Sequence, residues 1–409
     1  MPESRVLLKN CEVIDPGDIG SYLKRDGFKA LAKARNEMTP KKVIEEVKAS
    51  GLRGRGGAGF PCGAKWELAA KSKGDEKFLI CNADEGEVGT FKDRYILEHD
   101  PFSLLEGIAI AAYAIGAKKA FIYLRGEYRF LLDVLVKAIE QTKAQGYLKT
   151  LEIQIRMGAG SYICGEESAL MNSIEGRRGE ARFRPPYPPT QGLWGKPTII
   201  NNVETLMNIP RIVLKGAGWF SKMGTERSKG TKVFSVSGDV ERPGVYELVL
   251  GSTLRELMDL AGAGNVKLVQ VGGATGGIVP YSMLSTPLSY ETVLGSGAIT
   301  VLNQSRDVID FVYRTVEFLS EESCGKCAPC REGTEVMMEI FGRLARGEGA
   351  QEDMQVLEEL SNVMMASSLC GLGQSAPVPV LDTLKYFRNE YETRVGQSMF
   401  LRTLRTVRA

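Results

Sequence analysis

The chain has 409 residues, 43% of them apolar and 25% charged, and its 52 basic and 50 acidic side chains give a formal charge of +2. This composition suits a globular protein of two or three domains and excludes the disordered, collagen-like and disulfide-scaffold classes. It also argues against a dedicated nucleic-acid binder, which would carry a basic face. A single histidine, His99, rules out paired-histidine catalysis and metal sites built on several imidazoles.

The first ten residues carry charges and no long apolar run, so no secretory signal is expected there. Apolar residues at helical spacing over residues 18–36 predict a helix. A second begins at Lys41, with Thr39 placed to cap it and Pro40 at its first position. The glycine-rich segment Gly54-Arg-Gly-Gly-Ala-Gly59 follows. Residues 77–82 read as a buried strand leading to the acidic loop Asp84-Glu-Gly-Glu87. A helix is expected over 102–117, a strand over 119–124, a helix over 128–145, a strand over 151–156 and a further helix from about Glu166. The longest apolar stretch, residues 107–117, is short of the roughly 20 residues that span a bilayer, so it predicts a buried helix, no direct membrane insertion and a cytoplasmic protein.

Strands alternating with helices at this spacing predict an α/β domain with a largely parallel sheet over residues 1–220. Residues 221–231, short, charged and glycine-containing, read as a linker. Four β-rich runs around one short helix near 254–261 predict a small α+β domain over 232–303. The remainder, 308–409, is helical in pattern.

Of the eight cysteines, Cys11, Cys62, Cys81 and Cys164 are scattered, which does not resemble a disulfide framework. Cys324, Cys327 and Cys330 fall within seven residues, and Cys370 lies forty residues beyond the third. Three thiolates at this spacing can turn around one corner of a cubane cluster that a distant fourth closes, so a [4Fe-4S] site is expected. The alternatives are zinc, which more often uses two separated CxxC pairs, and free buried thiols.

Gly54, Gly56 and Gly59 satisfy G-x-G-x-x-G, but a helix rather than a strand is expected before them, so the ordinary dinucleotide-fold context is missing. The physical content survives: five glycines in residues 51–59 let backbone amides approach a phosphate, and Arg53, Arg55 and Lys65 add positive charge. A plain surface turn is the alternative.

Several longer segments carry a resemblance. Gly51-Leu-Arg-Gly-Arg-Gly-Gly-Ala-Gly-Phe-Pro61, Lys65-Trp66, Cys81-Asn-Ala-Asp-Glu-Gly-Glu87 and Gly160-Ser-Tyr-Ile-Cys-Gly-Glu-Glu167 resemble the flavoprotein subunit of NADH dehydrogenases. So do Glu175-Gly-Arg-Arg178, Pro185-Pro-Tyr-Pro188, Gly195-Lys-Pro197, Asn201-Asn-Val-Glu-Thr205, the cysteine triplet and Ser368-Leu-Cys-Gly371. The match covers about residues 18–395. It departs from the family pattern at Cys62, Val88 and Leu68, where a threonine, a proline and an aromatic are frequent.

The resemblance implies FMN, NADH and one [4Fe-4S] cluster. It also implies a Rossmann-like FMN- and NADH-binding domain with N-terminal helices, a ubiquitin-like β-grasp domain and a C-terminal helical bundle carrying the cluster. FMN contacts would fall on Gly54, Arg55, Gly56, Gly57, Lys65, Asn82, Asp84, Tyr162, Gly165, Glu166, Ile200, Asn201, Asn202 and Thr205. NADH would lie over the flavin, with Phe60 and Tyr187 stacking on the adenine and Glu85, Glu87 and Glu167 on its polar groups; ordinary packing is the alternative for the aromatics. Cys324, Cys327, Cys330 and Cys370 would ligate the cluster.

No catalytic acid or base is implied, because hydride transfer between nicotinamide and flavin is carried by the cofactors. Glu85, Glu87 and Glu167 would disfavour negative charge near the flavin. Electrons would leave through a thioredoxin-like [2Fe-2S] subunit and a larger iron-sulfur subunit. The parent complex would be a hydrogenase, a formate dehydrogenase, an electron-bifurcating assembly or a respiratory NADH:quinone oxidoreductase. The opening Val6-Leu-Leu-Lys-Asn-Cys-Glu-Val-Ile-Asp15 resembles the soluble hydrogenase-type and bifurcating relatives.

Overall fold

A computed structural model describes residues 4–395; residues 1–3 and 396–409, the latter the end of the expected helical segment, lie outside it. The first sheet contains β1 (Phe78–Ala83), β2 (Lys119–Leu124), β3 (Glu152–Met157) and β4 (Thr198–Asn202), all parallel, in the order β3-β2-β1-β4. The near-continuous apolar reading of β1 and β2 follows from burial on both faces. Alternate side chains divide between two cores: Leu79 and Cys81 join one with the N-terminal helices, while Phe78 and Ile80 join another with the C-terminal helices.

The helix Pro101–Ile115 is buried at every position except Tyr113. Asp100 caps it by accepting from the Ser103 amide at 3.0 Å, and Gly116 ends it in a left-handed turn. It packs on Val203–Lys215. The helix expected over 18–36 is instead two, Ile19–Leu23 and Lys29–Glu37. The chain turns left-handed at Asp26 (φ 65°) and Phe28 (φ 59°), which sends the buried Phe28 ring against Tyr147 at 4.1 Å and the Tyr22 edge at 5.4 Å. The helix expected over 128–145 starts as a 3-10 turn, Gly126–Leu131, before Leu132–Ala144. Strand β4 and the helices Lys92–His99 and Val203–Lys215 are additions that the sequence pattern does not announce.

The second sheet contains β5 (Thr231–Gly238), β6 (Gly244–Val249), β7 (Val266–Val271), β8 (Gly277–Pro280) and β9 (Ala298–Asn303), in the order β6-β5-β9-β7-β8. Only β5 and β9 pair in parallel. One face packs on the helix Leu254–Ala261, whose Thr253 and Glu256 form a capping box. Leu268, Ile278 and Leu302 join the core of the C-terminal helices instead. Those helices include Val308–Glu321, Ala328–Ala345, Gln351–Ser367, Gly371–Ser375 and Val378–Tyr386. Among the described residues, no helix is long and apolar enough to cross a membrane.

Candidate functional site

Parallel strands present their carboxyl ends to one edge, where open α/β sheets bind ligands. At that edge a cavity of about 430 Å³ opens between both sheets and the C-terminal helices. Gly56, Gly57 and Ala58 line it from the glycine-rich loop, and Gly57 has a φ of +127° that side-chain-bearing residues rarely adopt. Asn82 and Asp84 to Glu87 follow from β1, Tyr162, Gly165 and Glu166 from the turn before the helix Glu167–Ile174, and Asn202 from the end of β4. The second sheet contributes Gly272, Thr275, Gly276, Gly295 and Ser296; Gly371, Leu372 and Ser375 close the far side.

Ten of the expected cofactor residues thus meet around one cavity: Gly56, Gly57, Asn82, Asp84, Glu85, Glu87, Tyr162, Gly165, Glu166 and Asn202. Gly54, Arg55, Phe60, Lys65, Glu167, Tyr187, Ile200, Asn201 and Thr205 stand behind or beside this wall. Thr205 accepts from the Arg55 amide at 2.8 Å, Lys65 bonds Glu167 at 2.8 Å and the Ile200 carbonyl at 3.0 Å, and Asn201 accepts from the Trp66 indole at 2.8 Å. The Gly54 amide donates to the Phe60 carbonyl at 2.9 Å. The rings of Phe60 and Tyr187 are about half exposed, available to stack on a planar ligand.

The Arg55 guanidinium is fully buried and donates to the carbonyls of Lys229 and Thr231. Its charge therefore serves the junction with the second sheet, so the positive charge expected beside the glycines does not come from it. Sequence reasoning missed Thr90, Lys92, Asp93, Thr275 and Ser296 in the cavity wall. The run Gly272-Gly-Ala-Thr-Gly-Gly277 was a usable signal for Thr275; Lys92 and Asp93 carried none.

Three carboxyl groups at this edge are shifted upward. Burial raises Asp84 to about 7. Burial, then the neighbouring Asp93 charge, raises Glu85 to about 7, although Glu85 accepts from the amides of Asp93 (2.8 Å) and Arg94 (2.9 Å) and from the Tyr128 hydroxyl (3.0 Å). Burial also raises Glu87, which accepts from the Ala274 amide at 2.7 Å and the Tyr162 hydroxyl at 2.8 Å. Glu87 docks there because Gly273 has no Cβ; one would collide with its side chain. Burial pushes Glu167 up as well, but Lys65 and Arg184 outweigh it and hold the carboxyl below its usual range. Behind Asp93, the buried Glu204 joins Lys92 at 3.0 Å and Lys232 at 2.8 Å.

The four expected cluster cysteines line a second, smaller cavity with Ile163, Ala181, Lys326, Leu369 and Leu372. Cys324 and Cys327 lie in the loop before Ala328–Ala345, Cys330 in the first turn of that helix, and Cys370 precedes Gly371–Ser375. Among the described residues, no three His, Cys, Asp or Glu side chains stand close enough to hold a single metal ion. The four cysteines ring the cavity instead. Ile163 and Leu372 line both cavities, so one layer of side chains separates them.

Residues 47–211 match the Nuo51 FMN-binding domain, residues 310–394 the iron-sulfur binding region of NADH-ubiquinone oxidoreductase-F, and residues 233–279 the SLBB domain. The NADP-reducing hydrogenase subunit HndC of Solidesulfovibrio fructosivorans is 43% identical over 96% of this chain and 83% of its own. An NADH-quinone oxidoreductase subunit of Rhizobium meliloti is 42% identical over 96% and 98%. The chain belongs to the Nuo51 flavoprotein-subunit family. In structure it matches an NAD+-reducing [NiFe]-hydrogenase in the H2-reduced state, with a TM-score of 0.88 and 40% identity over 96% of this chain and 67% of that one.

The family's cofactors are FMN and a [4Fe-4S] cluster, and the residues present fit both. Asp84 Oδ2 and Thr90 Oγ1 are buried in the protein without a hydrogen-bond partner, and both residues line the larger cavity. Such groups are costly unless a ligand completes them, and a hydroxylated ribityl chain offers the donors. At the smaller cavity, burial pushes the Cys330 thiol up to about 11, so it needs a metal to become the thiolate that ligates iron.

Proposed function

We propose that this chain is the NADH-oxidising flavoprotein subunit of a multi-subunit complex, and that its larger cavity holds FMN and the nicotinamide nucleotide while its cysteine cavity holds the cluster. The observation that carries this reading is the shared wall: Ile163 and Leu372 face both cavities. The bound groups supply the redox chemistry, with two-electron hydride transfer at the flavin and one-electron relay at the cluster.

The protein's part is positional. The Gly56–Gly57 backbone leaves room for a phosphate, Asp84 and Thr90 meet polyol hydroxyls, and the exposed rings of Phe60 and Tyr187 support the adenine. Glu85 and Glu87, turned onto the amides of Asp93 and Ala274, hold fixed positions at the cavity wall. The finer residue assignments are those implied by the resemblance, and the division into FMN-binding (1–220), β-grasp (232–303) and helical cluster (308–409) units belongs to the same proposal.

For partners, we favour a thioredoxin-like [2Fe-2S] subunit and a larger iron-sulfur subunit of a cytoplasmic hydrogenase-type, formate dehydrogenase or bifurcating complex, on the opening segment 6–15. The nearly complete span of a quinone-linked relative at similar identity favours the second reading, a respiratory NADH:quinone oxidoreductase. Anaerobic purification from the native host tests both, with identification of the co-eluting subunits. NADH is expected to bleach the flavin in wild type and in Cys327→Ser, while only wild type passes electrons to the co-purified acceptor. Transfer persisting in Cys327→Ser, or flavin that NADH does not bleach, would refute the proposal.

A further inference from the structure

The segment between the helices Glu167–Ile174 and Pro188–Gln191 lends Ala181 to the cysteine cavity and reaches the larger cavity through one contact, Arg184 on Glu166. Its first half is fastened to the cysteine loop. Lys326, between Cys324 and Cys327, donates to Glu180 Oε1 at 3.1 Å and to the Ala181 carbonyl at 2.7 Å, and its ammonium lies 5.2 Å from the centre of the Phe183 ring. Arg178 donates to the Cys324 carbonyl at 2.8 Å, and Ala181 itself lines the cysteine cavity. The second half is fastened to the nucleotide side. Arg184 bridges Glu166 and Glu167, the second at 2.9 Å, and Glu166 both lines the larger cavity and caps the helix that follows it. Tyr187 comes three residues later. The middle is tied to the same helix by the Arg182 amide on Ser168 Oγ at 2.9 Å and by Asn172 on the Glu180 carbonyl at 2.8 Å.

We propose that Lys326 is a positioning residue for the nucleotide: from within the cysteine loop it holds the 178–184 segment, and through Arg184 it sets the Glu167 carboxylate and the Tyr187 ring that receive NADH. Three features favour this over a plain surface ion pair. Lys326 uses two acceptors and an aromatic face on one short segment, and Glu180 is only partly exposed, so the arrangement is specific. Its position between two cluster ligands means that filling the cysteine cavity fixes the lysine's backbone.

This inference rests on the nucleotide-binding reading, and the test separates the two. The probe is ADP-ribose, which carries the adenosine and pyrophosphate without a reducible ring, so binding is read at equilibrium rather than through turnover. Wild type, Lys326→Met, Glu180→Ala and the double variant are titrated by calorimetry, each after its flavin and iron contents are measured. The dissociation constant is expected to rise roughly fivefold in each single variant, the scale of one partly exposed ion pair. It should rise little beyond the Lys326→Met value in the double variant, because Glu180 acts through Lys326. Lys326→Arg is expected to restore wild-type binding.

An unchanged constant in both single variants would overturn the proposal, as would effects that add in full. If Lys326→Met loses its cluster, Glu180→Ala decides alone, since that residue lies outside the cysteine loop. Wild type that fails to bind ADP-ribose would instead strike the nucleotide reading itself.

Discussion

Asp84 stands at the end of β1 with one carboxylate oxygen buried and unpartnered, and its folded pKa is pushed to about 7 by burial. In the unfolded chain an aspartate titrates near 3.9. Across that interval the folded flavin-free protein holds a proton that the unfolded chain has released. Stability should therefore fall as pH rises from about 4 to about 7, and level off above. Glu85 and Glu247, each raised to about 7 chiefly by burial, act in the same direction. Asp84→Asn removes one contribution, so the flavin-free variant should lose less stability than wild type between pH 5 and pH 8, by a few kcal/mol at most. Urea midpoints at the two pH values measure this. An identical pH slope in wild type and variant would show that Asp84 is not held protonated. FMN hydroxyls bonded to Oδ2 favour the ionised form, so loading flavin should also flatten the wild-type slope.

The helix Pro101–Ile115 shows how an element can contradict a local propensity. An alanine in place of a helical glycine ordinarily gains about 1 kcal/mol. At Gly107 a Cβ would collide with the Leu206 carbonyl of the helix packed against it, and carbonyl oxygens of a buried helix cannot swing aside. Overpacking of this kind costs about 1–3 kcal/mol, so Gly107→Ala should destabilise on balance. A urea midpoint above that of wild type would contradict the close approach.

The same helix was legible in the sequence from its long apolar pattern, although the expected end at 117 overruns Gly116, whose left-handed turn stops the helix at Ile115. The strand β4, Thr198–Asn202, was not: five residues closing in two asparagines look like a loop, and only parallel pairing with β1 makes them a strand. The break at residues 24–28 was invisible for a related reason. Helical spacing continues through it, and the Phe28 ring is drawn inward by tertiary packing that no local pattern encodes. In the candidate site, motifs located the residues but not their directions. Arg55 reads as a phosphate ligand, yet its guanidinium satisfies two carbonyls of the domain junction.

At the scale of the whole molecule, the larger cavity lies where the two sheets and the C-terminal helices meet, and the joints between them carry buried and half-buried polar contacts. Lys232 on β5 pairs with Glu204 at 2.8 Å, both with fully buried side chains. Glu247 on β6 receives the amides of Leu7 and Leu8. Asp382 accepts from the Ile278 amide at 2.8 Å, and Lys267 pairs with Glu390 at 2.7 Å. Opening a joint gives up hydrogen bonds worth about 0.5–1.5 kcal/mol each and exposes apolar surface buried across it, such as Leu268, Ile278 and Leu302 against the C-terminal helices. Independent unfolding of one part would open several joints together, so the three parts should unfold as one unit, although multi-domain chains often do not.

The sequence supplies its own probe. All three tryptophans, Trp66, Trp194 and Trp219, lie in the first sheet's half, whereas far-ultraviolet circular dichroism reports helices throughout. Urea unfolding of the flavin-loaded protein should give coincident midpoints by the two signals. Circular dichroism falling first, with fluorescence unchanged, would mean that the C-terminal helices leave while the flavin half stays folded. The joints would then be too weak to keep the cysteine cavity beside the flavin cavity, and electron transfer between them would depend on partner subunits to hold the halves together.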